Sequence, residues 1–203
     1  AKGSRAAGGQ GAGKSMPLRL ICVATVTPRK GYAGLVEALA LVERDRRETE
    51  AGWTLDIIGS TTRDPAHADE VRQQVEDRGL GGRIRFVGEV DEAALRAHYA
   101  QADGMVLASR YEGYGMSLVE AMMHGLPLVV TRGGAIADTV GDGACIVEGS
   151  DPGALAAAIR HTLLDDQARQ VLASRARRWR ERRLESQSWA GAAARFAQAL
   201  DRL

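Results

Sequence analysis

The sequence predicts an α/β domain in which a parallel sheet of about six strands carries helices on both faces. Short apolar, β-branched runs alternate along the chain with segments whose apolar residues recur at helical spacing. Short loops that contain glycine join these segments, as in chains that fold into parallel sheets. Because connections between parallel strands are right-handed, such a sheet becomes doubly wound.

Six apolar runs of strand length mark the predicted strands. They cover residues 18–24, 53–58, 83–87, 105–107, 126–130 and 144–147. Helical spacing is clear in the first intervening segment, where Leu35, Leu39 and Val42 fall on one face. The predicted helices cover residues 33–43, 66–78, 92–100 and 118–123, with another short one opened by residues 133–138.

Helix start signals support these assignments. Asp91 is placed to cap the helix that follows it, and Asp151 with Pro152 begins another helix with a cap and a proline at the first helical position. We expect residues 155–203 to be helical throughout, with a break near residues 186–189.

Overall composition narrows the class of protein. The chain has 203 residues and a formal net charge of +1, which gives no general reason to expect a nucleic-acid partner. Cys22 and Cys145 lie in apolar strand-like runs, so we interpret them as buried side chains in a reducing compartment. The sequence shows neither a run of about 18 apolar residues nor the apolar region of a signal peptide. These features predict a cytoplasmic protein.

The first 17 residues predict a separate segment, because they are rich in Gly, Ala and Ser and lack apolar periodicity. We interpret them as a disordered linker or tail that precedes a domain of residues 18–203. Residues 8–15 match the P-loop pattern literally. That motif needs a strand before it and a helix after it, and neither is predicted here, so we do not interpret it as a nucleotide site.

The strongest functional signal lies in residues 109–121, which read as a strand end, a turn and a helix start. Gly113 and Gly115 allow a sharp turn and a close approach to a ligand. The N–H groups of residues 115–117 would then form the helix N-terminus, where phosphate binds readily. Glu112 precedes this turn and Glu120 follows it by two helical turns, so the pattern indicates a sugar nucleotide whose hydroxyl groups meet two carboxylates. The alternative is that both glutamates are solvated surface residues.

Five loops are expected to meet at one edge of the sheet. Ligands of doubly wound sheets bind beyond the carboxyl ends of the strands, and all five loops follow predicted strands. They are residues 25–31, 59–62, 88–90, 109–115 and 132–135.

Taken in order, these motifs resemble the C-terminal, donor-binding domain of retaining GT-B glycosyltransferases of the family-4 group. The matching segments are residues 23–31, 57–59, 84–88, 109–121 with its E-x7-E spacing, and 125–129. The resemblance covers about residues 18–203 and implies a Rossmann-like sheet that forms one half of a GT-B fold. It also implies a second, N-terminal domain of the same parent chain that holds the acceptor, so this chain alone is expected to transfer nothing at a useful rate.

The resemblance implies a role for each matching position. Lys30 would bind the donor diphosphate, Glu120 the ribose hydroxyls, and Glu112 would face the transferred sugar, while the loop of residues 88–90 would lie against the base. The implied catalytic residues are Glu112 and Lys30, and the implied donor-binding residues are Arg29, Lys30, Gly59, Val90, Glu112, Gly113, Tyr114, Gly115, Met116, Ser117 and Glu120. The family uses a UDP-sugar or GDP-sugar donor and neither a bound metal nor another cofactor.

One departure from the family pattern concerns the first loop. Many relatives carry Gly-Arg where this chain has Ala24 and Thr25, and that arginine contacts the diphosphate. Arg29 could substitute for it from the same loop, and otherwise the donor affinity would be lower. The change also leaves open a binding or scaffold domain without catalysis, and the fold leaves open a sugar-nucleotide epimerase, although the E-x7-E spacing argues against the latter.

Three further features have two interpretations each. The basic run of residues 175–183 could contact anionic lipid headgroups at a membrane surface, or it could be a solvated helix face with Trp179 packed inward. Gly133 and Gly134 could bring amides near the donor, or they could form a plain turn. His98 and His124 are isolated on predicted helices, and we interpret them as structural.

Overall fold

The computed structural model describes residues 16–47 and 52–187 and contains a six-stranded sheet. Every neighbouring pair of strands is parallel, and the strand order is β3-β2-β1-β4-β5-β6. The strands are β1 (Leu18–Val23), β2 (Trp53–Ile58), β3 (Ile84–Gly88), β4 (Gly104–Leu107), β5 (Leu128–Thr131) and β6 (Cys145–Val147). The predicted fold class, a doubly wound parallel sheet, is therefore confirmed.

Helices follow the strands as the sequence spacing predicts. They are α1 (Tyr32–Arg44), α2 (Pro65–Asp77), α3 (Glu92–Gln101), α4 (Met116–Met123), α5 (Ile136–Val140), α6 (Pro152–Ala158) and α7 (Asp166–Gln187). The side chains of Asp91 and Asp151 accept hydrogen bonds from the amides three residues on, which confirms both predicted caps.

The prediction of continuous helix after residue 155 is wrong in one place. A π-helical segment, Ile159–Leu164, follows α6, and the chain then becomes extended at Asp165. The Asp165 carboxylate accepts a hydrogen bond from the Ala168 amide at 2.7 Å, so it caps a new helix, α7. Residues 188–203, and with them half of the predicted break at residues 186–189, lie outside the described residues, as do residues 1–15 of the predicted linker and its P-loop match.

The core lies between the sheet and its helices. Strand residues such as Leu55, Met105 and Val129 are fully buried, and α1 covers one face with Leu35 and Leu39. Apolar burial of this kind is the main stabilising contribution to a domain. The largest side chain of α7, Trp179, is 9% exposed, which confirms the interpretation that it packs inward.

Both cysteines are free thiols. Cys22 is buried in β1, whereas Cys145 in β6 is only half-buried. Burial raises the pKa of the Cys22 thiol to about 12, although a hydrogen bond with the Tyr32 hydroxyl acts in the opposite direction. The prediction of a buried side chain therefore holds for Cys22 and only in part for Cys145.

The strand order also places the crevice of the sheet. From β1 the chain proceeds outward to β2 and β3, and then crosses back to β4 on the other side of β1. From β1 and from β4 the chain therefore proceeds in opposite directions across the sheet. Doubly wound sheets bind ligands at such a switch point. The two loops that leave the carboxyl ends of β1 and β4 are residues 24–31 and 108–115.

Candidate functional site

The two loops at the switch point touch each other directly. The Arg110 amide donates a hydrogen bond to the Arg29 carbonyl oxygen at 2.9 Å. Gly31 has φ of 68°, and a Cβ atom there would lie 2.1 Å from the Ala108 carbonyl oxygen. Only glycine allows this approach, and the approach brings the residue before it, Lys30, to the loop after β4.

Lys30 and Glu112 form the centre of the site. The Lys30 ammonium lies 2.5 Å from Oε1 of Glu112, and the two side chains are 13% and 9% exposed. The Ser109 hydroxyl donates to the same carboxylate oxygen at 2.5 Å. Because little solvent reaches this ion pair, the attraction between the two charges is screened weakly. Removal of either side chain would leave the other charge buried and unpaired. The structure thus brings together the two residues predicted to be catalytic.

Arg29 lies at the mouth of the site, with half of its side chain exposed. Its Nη1 donates to the Tyr111 carbonyl oxygen at 2.7 Å and lies 3.8 Å from Oε2 of Glu112. A second cation therefore stands beside the buried carboxylate and faces solvent. This position is compatible with the predicted substitution of Arg29 for the missing arginine, which stays a prediction.

The turn of residues 113–117 leads from Glu112 into α4. Gly115 is the N-cap of the helix with φ of 78°, and its carbonyl oxygen accepts from the Leu118 and Val119 amides. Helix geometry leaves the first amides of α4 without an intrahelical acceptor. Those amides and the helix dipole create a positive potential at this end. The turn can therefore hold an anionic group next to Lys30.

Glu120 is positioned by a residue that the sequence analysis did not identify. The Tyr99 hydroxyl on α3 donates to Oε2 of Glu120 at 2.9 Å, and it also lies 3.2 Å from the Ser117 carbonyl oxygen. Tyr99 is buried, and its ring stacks on His124 with centroids 5.2 Å apart. Burial and the adjacent Glu120 charge raise the pKa of Tyr99, so it remains a hydroxyl donor. No spacing rule connects two residues on different helices, and the sequence offered no signal for this contact.

A neighbouring hollow joins two other predicted donor-binding residues. Its volume is about 250 Å³, and Gly59 and Val90 both line it, together with Thr25 at the end of β1. Gly59 has φ of 144°, and a Cβ atom there would lie 2.3 Å from the Ala24 carbonyl oxygen. The loops after β1, β2 and β3 thus line one space beyond the sheet, and residues 88–90 among them form the loop that is predicted to lie against the base.

Gly133 and Gly134 pack against the loop that carries Glu112. A Cβ atom on Gly134 would lie 2.2 Å from the Glu112 carbonyl oxygen, which also accepts from the Ala135 amide at 2.9 Å. The glycine pair therefore allows the loops after β4 and β5 to meet. The contacts show a turn that packs against the loop of Glu112, whereas the other predicted role, amides near the donor, stays a prediction.

Within residues 16–47 and 52–187, no group of three or more His, Cys, Asp or Glu side chains is arranged to hold a metal ion. No helix in the same ranges has the length and apolar character needed to cross a membrane.

Sequence comparison decides the family. Residues 10–179 match the sequence model of glycosyl transferases group 1. This chain belongs to that family. The match covers all six strands and the site described above. The predicted resemblance to glycosyltransferases is therefore confirmed.

Relatives of this group 1 chain are longer proteins. It is 32% identical over 154 residues to O-antigen chain mannosyltransferase B of Escherichia coli, a match that covers 75% of this chain and 39% of that protein. It is 27% identical over 190 residues to the GDP-mannose-dependent alpha-(1-6)-phosphatidylinositol monomannoside mannosyltransferase of Mycolicibacterium smegmatis, covering 89% of this chain and 47% of that protein. The chain spans less than half the length of either relative.

Solved structures show the same fold. Sucrose-phosphate synthase from Thermosynechococcus elongatus superposes with a TM-score of 0.72 at 27% identity, over 92% of this chain and 45% of that one. The HepE protein of Anabaena, solved with UDP and glucose, gives 0.70 at 23%, over 92% and 49%. The C-terminal domain of a group 1 glycosyltransferase from Francisella tularensis, solved by itself, gives 0.68 at 25%, over 79% and 84%. The group 1 chain thus has the architecture of one domain that makes up about half of the two longer proteins.

Proposed function

We propose that this chain is the donor-binding domain of a retaining, metal-independent glycosyltransferase. It would bind a UDP-sugar or GDP-sugar, and the acceptor would be bound by an N-terminal domain of the same parent protein. The observation that carries the proposal is the contact of Lys30 with Glu112 beside the N-terminus of α4, at the switch point of the sheet. Membership of the glycosyltransferase family supports the reaction type.

The charge distribution of the site suits this reaction. Negative charge builds on the departing nucleoside diphosphate when the sugar leaves it. Lys30, Arg29 and the amides of the 113–117 turn all supply fixed positive potential at one place, and such groups can lower a barrier by several kcal/mol in total. Because these groups are held by the fold, little reorganisation is needed at the moment of reaction. No metal ion is required for this stabilisation.

The two glutamates would act on opposite sides of the diphosphate. Glu112 is buried and held by Ser109 and Lys30, which suits a carboxylate that meets the transferred sugar at a defined position. Glu120 lies further along α4, where Tyr99 holds it, which suits a carboxylate that accepts from the ribose hydroxyls. The hollow beside Gly59 and Val90 would take the base.

The relatives favour a nucleotide-sugar donor without selecting its base. The name of the Mycolicibacterium relative specifies GDP-mannose, whereas the Anabaena structure contains UDP and glucose. Both agree with a site that recognises the diphosphate through the fold and the base through loops.

We also propose that the basic run of residues 175–183 makes peripheral contact with an anionic membrane. Arg180 donates to the Met123 carbonyl oxygen at 3.3 Å, and Arg182 binds Asp142 at 2.5 Å. Arg177 likewise donates to the Ser174 hydroxyl at 2.9 Å. Arg177, Arg178 and Arg182 are all exposed and could meet lipid headgroups. The cytoplasmic location and the lack of a nucleic-acid partner stay predictions.

A thermal-shift panel of UDP, GDP, ADP and their sugars on this chain tests the proposal. A nucleoside diphosphate at 100 times its Kd should add about 2.7 kcal/mol to the free energy of unfolding, which raises Tm by about 5 to 10 °C in a domain of this size. Lys30→Ala should abolish the shift, measured against its own unliganded Tm. Arg85→Ala is the matched control, because Arg85 binds Asp56 on the sheet and takes no part in the site.

Two results would contradict the proposal: indifference of the chain to every nucleoside diphosphate, or a full shift in Lys30→Ala. A non-catalytic binding domain would pass the panel as well. Transfer from the selected nucleotide sugar by the complete parent protein separates that alternative from an enzyme.

A further inference from the structure

Helix α7 is connected to the 113–117 turn by a closed ring of three hydrogen bonds and one cation–π contact. The Thr139 hydroxyl donates to the Tyr114 carbonyl oxygen at 2.7 Å, and the Trp179 indole N–H donates to the Thr139 carbonyl oxygen at 3.1 Å. Arg183 donates to the Tyr114 hydroxyl, and its guanidinium lies 5.8 Å from the centre of the Trp179 ring. We call Thr139, Trp179 and Arg183 the Tyr114 buttress.

The buttress holds Tyr114 at both ends. One contact holds its main-chain oxygen and the other its phenolic oxygen, so neither the backbone nor the side chain can move independently. Tyr114 is 43% exposed, so little other packing holds it and its position depends on these two contacts. Trp179 is nearly buried and anchors the whole ring to the core.

Arg183 differs from the other arginines of the basic run. Arg180 bonds to the end of α4 at Met123, and Arg182 pairs with Asp142 on the surface. Within the described residues, Arg183 is the member of the run for which the structure records a bond to the turn. It combines a hydrogen bond with a cation–π contact, and the guanidinium is the side chain best suited to make both.

We propose that Arg183, Trp179 and Thr139 are positioning residues for the phosphate-binding turn and act on it through Tyr114. The inference rests on the proposed donor site and adds to it residues of α5 and α7 that lie outside the E-x7-E segment. Preorganised amides bind an anion better than amides that must first be ordered, because the ordering costs conformational entropy at the moment of binding. Loosening the buttress should therefore weaken diphosphate binding while the fold survives.

Calorimetry with UDP and GDP tests this on the folded chain at 20 °C. Arg183→Met removes the donor and Tyr114→Phe removes the acceptor, and each should raise Kd by about three- to tenfold, the usual range for one lost hydrogen bond. The double variant should be no worse than the singles, because both remove the same contact. Arg183→Lys, which keeps a charged donor, should restore part of the affinity. Arg182→Met is the control on the same helix and should bind like the unaltered chain.

Amide hydrogen exchange of residues 113–118 in the free chain provides a readout that needs no ligand. Arg183→Met should accelerate this exchange about three- to tenfold, while Arg182→Met should leave it unchanged. Unchanged exchange in Arg183→Met overturns the proposal whether or not nucleotides bind. Faster exchange with an unaltered Kd also overturns it, because the turn would then be held without effect on binding. If neither UDP nor GDP binds the unaltered chain, the proposed function fails, and exchange alone decides whether α7 holds the turn.

Discussion

Removing the Lys30 ammonium is the most direct test of how the site is held together. Glu112 is nearly buried, and its Oε1 accepts from Lys30 and from Ser109, both at 2.5 Å. Lys30→Met keeps the length and the apolar stem of the side chain but leaves the carboxylate without its closest cation. We therefore expect a loss of stability, and not only of ligand binding.

The contacts that remain set the size of the loss. Breaking a buried ion pair by removing one partner typically costs about 3 to 5 kcal/mol. Arg29 still lies 3.8 Å from Oε2, and the Ser109 hydroxyl still donates, so the lower end applies. The free energy of unfolding should fall by about 3 kcal/mol, and Tm by about 6 to 12 °C. Glu112→Gln leaves the Lys30 ammonium without its carboxylate, so it should also cost about 3 kcal/mol, the lower end applying because the amide oxygen can still accept from Lys30 and Ser109.

Urea unfolding followed by tryptophan fluorescence measures these changes, with an unchanged slope as the check that both states are comparable. The double variant Lys30→Met/Glu112→Gln should lose only about 1 kcal/mol, because no buried charge is left unpaired. If Lys30→Met costs less than about 1 kcal/mol, or if the double variant is as unstable as the sum of the singles, the pair is not coupled as argued.

Three further predictions concern the support of the site. Gly31→Ala places a Cβ atom at a positive φ and 2.1 Å from a backbone carbonyl oxygen, so it should lower the free energy of unfolding by about 3 kcal/mol or more. Gly82→Ala, whose Cβ atom would meet no atom within 4 Å, is the control. Equal Tm values for the two variants would contradict the argument. Burial raises the pKa of Cys22 from 9.0 to about 12, so the native state retains this proton and the stability that it contributes, complete below pH 9, should decline as pH rises from about 9 to 12, by about 1.4 kcal/mol per pH unit. Cys22→Ala should lack this decline in urea unfolding between pH 8 and pH 10, below the range in which the buried Tyr32 and Tyr99 hydroxyls, whose pKa values are also raised, add a decline of their own. Tyr99→Phe removes the hydroxyl that donates to Glu120, so it should lower the free energy of unfolding by about 1 kcal/mol. It should also weaken nucleoside diphosphate binding. If calorimetry finds no change in Kd, Glu120 needs no such support.

Local patterns were sufficient for most of the fold. The six strands and the caps at Asp91 and Asp151 follow from apolar periodicity and start signals that act within a few residues. The break at Asp165 was missed because helical spacing continues across it, and the cap is visible only as a hydrogen bond to Ala168.

The candidate site divides along the same line. Lys30 and Glu112 could be expected near each other because each lies in a loop that follows a strand, and the edge of a parallel sheet brings such loops together. The family resemblance supplied their predicted roles. Their direct contact could not be expected, since it depends on the backbone approach that Gly31 permits. Tyr99 and Arg183 were not identified, because Tyr99 contacts a residue of a different helix and Arg183 contacts a residue of the turn before α4.

The order of apolar runs, glycine turns and capping residues determined that this chain forms a doubly wound sheet with its loops at one edge, and its motifs placed it among glycosyltransferases. Tertiary structure alone decided which side chains hold the site, joining Lys30 to Glu112, Tyr99 to Glu120 and Arg183 to Tyr114. The physical reason is the sequence separation over which each kind of interaction acts. Periodicity and capping act over one or two turns of chain, whereas these contacts join residues 21 to 82 positions apart, and packing of the finished core sets their distances.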